Sequence, residues 1–111
     1  MYSKLKIWEM AMEVAEIAYA ATSLFPEEER YGLSSQIRRS AVSIPSNIAE
    51  GKGRQTDREF KQFLYIARGS LFEMRTQLEL SRRLGYLKNP NDLKAKIKEL
   101  ESMLNSLISK L

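Results

Sequence analysis

The chain has 111 residues, 43% hydrophobic and 29% charged, which suits one domain over residues 1–111 whose single core would bury about two thirds of the unfolded surface. Cysteine and histidine are both absent, which excludes disulfides, thiolate nucleophiles, the usual zinc sites, imidazole acid–base chemistry and histidine-containing triads. Eighteen Lys and Arg against fourteen Asp and Glu leave a net charge of +4, a moderate bias toward anionic partners. The first residues lack the apolar run of a signal peptide, and no stretch approaches the roughly 20 apolar residues of a membrane span. The expectation is a soluble cytoplasmic protein with no membrane association, cofactor or metal.

Proline and glycine cluster at three places, Pro26 with Gly32, Gly51 with Gly53, and Gly85 with Pro90, and the segments between them carry helical periodicity. Four helices follow. In the first, Leu5, Trp8, Met12, Ala15, Tyr19 and Thr22 form one stripe and Ile7, Ala11, Val14, Ala18 and Ala21 a second, which predicts two buried sides. The second places Leu33, Ile37, Ala41, Ile44 and Ile48 on one face but contains Pro45. Without an N–H, and with its ring against the carbonyl of Ala41, that proline costs about 3 kcal/mol unless the helix bends or restarts. A kink is predicted there, with Ser43, Ser46 or water serving the freed backbone groups, and with Glu50 or Asn47 buried and hydrogen-bonded where the helix ends.

The third helix starts from a capping box, Thr56 with Glu59, and packs Phe60, Phe63, Leu64, Ala67, Leu71, Met74 and Leu78 on one face. It should be the longest and end near Gly85. The fourth opens with Asn89 as cap before Pro90, then spaces Leu93, Ile97, Leu100, Leu104, Leu107 and Leu111 as a narrow seam. Short connections favour antiparallel neighbours, so the predicted fold is all-α, an antiparallel up-down four-helix bundle with a proline kink in helix 2.

The polar pattern of the third helix carries the functional signal. Lys61, Arg68, Arg75 and Arg82 recur every seven residues, with Arg54 preceding them in register, and such a stripe drifts only about 20° per heptad. Tyr65 and Phe72 lie beside it, away from the core. A line of cations fits phosphates and flat apolar faces fit unpaired bases, so the stripe suits nucleic acid. The competing reading is a solvated helix face paired with Glu59, Glu73 and Glu79. Arg38 and Arg39 in the second helix, and Lys52, Arg54 and Arg58 around the Gly51–Gly53 turn, add cations near a helix N-terminus. GKGR there lacks the spacing and the Lys–Ser/Thr pair of a nucleotide-binding loop. The scattered carboxylates have no histidine to complete a di-metal bundle site, and Ser43 or Ser46 near Lys52 or Lys61 reads as a backbone partner before a nucleophile. Mid-helix Gly69 costs about 1 kcal/mol relative to alanine, which a close backbone approach would offset, yet it falls opposite the apolar face. Ile66 and Leu80 also fall outside that face, and with the doubly striped first helix they exceed what one small bundle can bury, a surplus that points to self-association.

The run Tyr31-Gly32-Leu33-Ser34-Ser35-Gln36-Ile37-Arg38-Arg39-Ser40-Ala41-Val42-Ser43-Ile44-Pro45-Ser46-Asn47-Ile48-Ala49-Glu50-Gly51 resembles the signature of the four-helix bundle family that includes the 23S rRNA intervening-sequence proteins. The likeness continues through Arg54, Phe60, Phe63-Leu64, Ile66-Ala67, Gly69-Ser70-Leu71, Glu73 and Gln77-Leu78, and takes in Lys6-Ile7-Trp8 and Phe25-Pro26-Glu27, with Ser40 where alanine is more usual. The resemblance implies a homopentamer, a bacterial gene sometimes lodged within 23S rRNA genes, and similarity to the accessory protein of diversity-generating retroelements, a basic barrel that binds nucleic acid and a reverse transcriptase. The resulting expectation is a non-enzymatic oligomer that binds RNA or structured DNA through Arg38, Arg39, Lys52, Arg54, Arg58, Lys61, Arg68, Arg75 and Arg82. The alternative is a scaffold or accessory subunit that docks an acidic protein partner. Whether the stripe faces a pore, a subunit interface or solvent is open at this level.

Overall fold

The computed structural model describes residues 3–111; the first two residues of the expected domain lie outside the described ones. Among the described residues there are four helices and one short 3-10 turn: α1 (Lys4–Thr22), the turn Glu27–Glu29, α2 (Leu33–Lys52), α3 (Asp57–Arg83) and α4 (Asn91–Lys110). Each helix packs on its two neighbours in the cyclic order α1–α2–α3–α4, and among the described residues the backbones of the diagonal pairs do not approach each other closely. The fold is an all-α four-helix bundle.

Local chemistry sets the helix ends. Ser3 Oγ accepts the Lys6 amide at 3.0 Å and caps α1. Thr56 Oγ1 accepts the Glu59 amide at 3.1 Å, as a capping box requires, while its hydroxyl donates to Glu59 Oε1 at 3.0 Å. At the far end of α3, Gly85 adopts φ +83°, which lets Gly85 N donate to Arg82 O at 3.0 Å and Tyr86 N to Ser81 O at 2.9 Å, the paired bonds of a Schellman motif. Tyr86 then packs on Phe25 with ring centroids 5.7 Å apart and donates its hydroxyl to Glu29 Oε2 at 3.1 Å. Glu29 Oε1 in turn accepts the Leu33 amide at 3.2 Å, so one carboxylate ties the α3–α4 connection to the start of α2. That contact, with burial, raises the pKa of the Tyr86 hydroxyl. Asn89 is not the cap of α4: it sits at φ +52°, a conformation that asparagine tolerates, and the helix begins at Asn91 after Pro90, whose carbonyl accepts Lys94 N at 2.9 Å.

The core takes one face from each helix. The expected faces of α2 and α3 are buried throughout, except that Phe63 is half-buried, and Ser81 extends the α3 face. On α4 the buried face is wider than a narrow seam, because Met103 and Ile108 join the leucines and Leu111 is only half-buried. On α1 the stripe through Ile7, Ala11, Val14 and Ala18 is the core. The stripe through Leu5 is not buried as expected: Leu5 and Tyr19 are exposed, Trp8 and Met12 half-buried, and only Ala15 and Thr22 are covered.

Small residues bring α2 and α3 closest together, in by far the most extensive helix contact of the bundle. A Cβ at Gly51 would stand 2.6 Å from Phe63 Cβ, so only glycine permits this approach. Between the same helices Ser43 and Ser70 share a hydrogen bond at 2.8 Å, and Ser40 Oγ donates to Glu73 Oε1 at 2.7 Å with Gln77 Oε1 at 3.1 Å. Ascending α2 from Ser40 to Gly51 thus descends α3 from Gln77 to Phe60. Helix α2 continues through the buried Pro45 without a restart. The polar groups nearby are served by Asn47, half-buried rather than buried, whose Nδ2 donates to Ser43 O at 2.8 Å and Ser43 Oγ at 2.9 Å, while Ser46 is exposed and so is Glu50, which pairs with Arg54 at the surface.

Candidate nucleic-acid interface

Counting along α3 from Lys61 by alternate steps of four and three gives Tyr65, Arg68, Phe72, Arg75, Glu79 and Arg82. This is a second heptad seam, one residue out of step with the buried one, and it lies along the side of α3 that meets α4. Cations and aromatic rings alternate in it, and the geometry couples them. The Arg68 guanidinium sits 5.0 Å from the Tyr65 ring centroid and 6.0 Å from that of Phe72, and Arg75 lies 5.4 Å from Phe72 on the other side. Tyr65 and Phe72 remain 40% and 41% exposed, so ring surface is open beside fixed positive charge. Arg54 repeats the motif beyond the helix start, 4.7 Å from the Phe63 centroid, while bonding Glu50 at 2.8 Å.

Partners hold the stripe in place to different degrees. Arg68 Nη1 donates to Asn105 Oδ1 at 2.9 Å, a neutral acceptor that leaves its charge uncompensated. Arg75 forms an ion pair with Glu101 of α4. Arg82 grips Glu79 with both Nε and Nη2, at 3.0 and 2.9 Å, and Arg83 Nε adds a third bond at 3.0 Å. Those hydrogen bonds, from Arg82 first and then Arg83, lower the Glu79 pKa to about 2 and raise that of Arg82. Lys61 is half-buried without a side-chain partner among the described residues.

The remaining expected residues divide. Lys52 and Arg58 lie exposed at the α2–α3 turn without ion pairs among the described residues, close in sequence to Arg54 and Lys61, and Arg39 is exposed and equally unpaired on α2. Arg38 stands apart from the stripe: its Nε donates to Thr22 Oγ1 at 2.8 Å, its Nη2 to Tyr19 O at 3.3 Å, and its guanidinium lies 4.7 Å from the Tyr19 ring. It closes the C-terminal end of α1, where bare carbonyls favour a cation. Neither Glu59 nor Glu73 pairs with the stripe, because Thr56 and Ser40 engage them.

Sequence reading missed what α4 contributes. Lys94 and Lys98 line a groove of about 810 Å³ between α3 and α4, together with Arg75, Arg82 and Arg83, over a floor of Leu78, Leu87, Leu93 and Ile97. Their i,i+4 spacing is visible in the sequence, but only the packing of α4 against α3 sets them beside the stripe. The groove holds no aromatic residue, unlike the Tyr65–Phe72 portion of the same helix. No helix among the described residues is long and apolar enough to cross a membrane.

No curated protein matches the chain. Among solved structures, a protein of unknown function from the S23 ribosomal protein family of Bacteroides thetaiotaomicron superposes with a TM-score of 0.83 at 28% sequence identity, covering 92% of this chain and 97% of that one. The model of the 23S rRNA-intervening sequence proteins matches residues 3–106, nearly the whole bundle, and the chain accordingly belongs to that family.

Proposed function

We propose that this chain is a non-enzymatic, cytoplasmic homo-oligomer, a pentamer as the family resemblance implies, that binds RNA or structured DNA through the phosphate backbone. The observation that carries the reading is the alternation of guanidinium and ring along the exposed seam of α3, where Arg68 and Arg75 bracket Phe72 and Arg68 also covers Tyr65. Each arginine offers N–H groups to a phosphate, and each ring offers a face to an unpaired base. Arg54, Arg58, Lys61 and Lys52 extend the positive surface past the helix start, and Arg82 prolongs it at the other end. Arg39 adds charge on α2; Arg38, engaged with α1, contributes least.

Labelled rRNA and unrelated nucleic acids titrated across a salt series test this reading. Arg68→Gln with Arg75→Gln is expected to weaken binding to all of them and to flatten the salt slope by roughly one unit per lost contact, with the oligomer intact. Unchanged affinity and slope, or dissociation of the oligomer, would overturn it.

The second reading, docking of an acidic protein partner, is favoured by the α3–α4 groove. Its aliphatic floor suits leucine-type side chains better than bases, and its rim carries five cations, Arg75, Arg82, Arg83, Lys94 and Lys98, against Glu79 and Glu101. Lys94→Glu with Lys98→Glu separates the two, because it would abolish protein capture while the Tyr65–Phe72 surface still holds nucleic acid.

A further inference from the structure

We propose that the nucleic acid this seam selects is unpaired: a single-stranded stretch laid along the boundary of α3 and α4, with bases turned onto Tyr65 and Phe72. The inference rests on the nucleic-acid reading above and adds which form of the polymer the seam takes.

The place of the cations keeps a duplex from the rings. The guanidinium groups of Arg68 and Arg75 do not stand on the crest of α3; they lean onto Asn105 and Glu101 of α4. A ligand that meets them therefore meets two helices side by side. A helix with its side chains is about 10 Å across and a packed neighbour's axis lies about 8–10 Å away, so the pair presents a face of about 20 Å. The major groove of B-form DNA is about 12 Å wide and admits one helix, and that of A-form RNA is too narrow even for side chains to read. Against such a face a duplex offers only its phosphates. Its base faces stay closed within the stack, and the rings gain nothing.

Ring exposure supplies the second observation. Tyr65 and Phe72 are 40% and 41% exposed, and guanidinium groups flank them at 5.0, 6.0 and 5.4 Å. An arginine plane stacks on a base as an aromatic ring does, so Tyr65, Arg68, Phe72 and Arg75 form a run of four flat groups. The two rings stand seven residues apart, about 10 Å along the helix, whereas stacked bases on one strand are about 3.4 Å apart. Neighbouring bases of an intact stack cannot lie on both rings. A strand that uses both must be opened out, which costs least where no pairing has to be broken.

Charge fits the same occupant. From Phe60 to Phe72 the chain carries Lys61 and Arg68 and no Asp or Glu. Arg54 continues the cations past the helix start, with the Phe63 ring at 4.7 Å. Phosphates of an extended strand meet these cations in line while its bases reach the rings. The groove further along the same boundary has no aromatic lining, so the stacking site ends at Arg75.

Fluorescence anisotropy tests the assignment, with the full chain titrated across a salt series into dye-labelled oligouridine of about 20 nucleotides and into an RNA duplex of the same length. The single strand is expected to bind about tenfold tighter or more, and to keep measurable affinity at about 1 M salt, where phosphate contacts alone are lost. Tyr65→Leu and Phe72→Leu should each weaken single-strand binding about five- to a hundredfold, with the salt slope and duplex binding unchanged. Tyr65→Phe should bind as wild type does, because the ring face and not the hydroxyl is used. If circular dichroism shows that Phe72→Leu loses helix, the two Tyr65 variants carry the comparison. A duplex bound as tightly as the single strand, ring variants that leave single-strand affinity intact, or a Tyr65→Leu chain of altered sedimenting mass would overturn the inference and leave the phosphate-contact reading standing. Failure of both nucleic acids to bind at low salt would overturn the inference and that reading together.

Discussion

A methyl group at Gly51 has no room beside Phe63 and Phe60, so Gly51→Ala forces α2 and α3 apart; a loss of about 1–3 kcal/mol is expected, read as a lower denaturation midpoint at unchanged slope. Glu79 offers a pH-dependent counterpart. Its folded pKa, about 2, lies below the ordinary value of 4.5, so its stabilising contribution is complete above about 4.5 and disappears as pH falls through 2. The stability difference between wild type and Glu79→Gln should therefore be constant at neutral pH and shrink across that acidic window, as chemical denaturation at several pH values would measure. Arg38→Ala should cost about 1 kcal/mol, because the Thr22 hydroxyl and Tyr19 carbonyl lose a charged donor at the end of α1. Caps that depend on near neighbours were legible at this scale, as Thr56 with Glu59 illustrates. Arg38 was not, because its partners lie sixteen and nineteen residues away. Asn89 misled for a physical reason: the side chain that favours an N-cap also makes asparagine tolerant of left-handed backbone.

Among the helices, α2 poses the sharpest question, since it runs from Leu33 to Lys52 with Pro45 inside. The proline ring opposes the Ala41 carbonyl, so the axis is expected to bend between Ala41 and Pro45 and to straighten in Pro45→Ala, as a pair of crystal structures would measure; a straight wild-type axis would contradict this. Periodicity disclosed the core faces of α2 and α3 because each carries one dominant stripe. It could not rank the two stripes of α1, which differ in composition but not in period, and packing chose the alanine-rich stripe that allows close approach. The seven-residue recurrence on α3 was equally plain in the sequence. What it could not show was that Arg68 and Arg75 reach across to α4, or that α4 answers with Lys94 and Lys98, because those relations exist only between helices.

At the scale of the whole molecule, the four-helix bundle followed from four periodic segments and three short connections, while its outward surfaces followed from neither. The basic seam runs along the α3–α4 side and rims the aliphatic groove there, whereas the open face of α1 lies toward α2, so charge substitutions at Arg68 and Arg75 should leave assembly mass unchanged even as they alter the salt dependence of binding. Contact between the helices is unequal: small residues draw α2 and α3 together, whereas the leucine-rich face of α4 keeps its neighbours further off. In terms of native-state fluctuation, that inequality divides the chain into a slow unit and a fast one. The α2–α3 hairpin, closed by a short turn and held by Ser43, Ser70, Ser40 and Glu73, should protect its amides up to the free energy of global unfolding. Helix α4 should open separately and at lower cost, so the amides of Ile97 and Leu100 exchange with deuterium before those of Ile44 and Leu71, and transient detachment of α4 would uncover the Arg68–Arg75 surface without unfolding the helix that carries it.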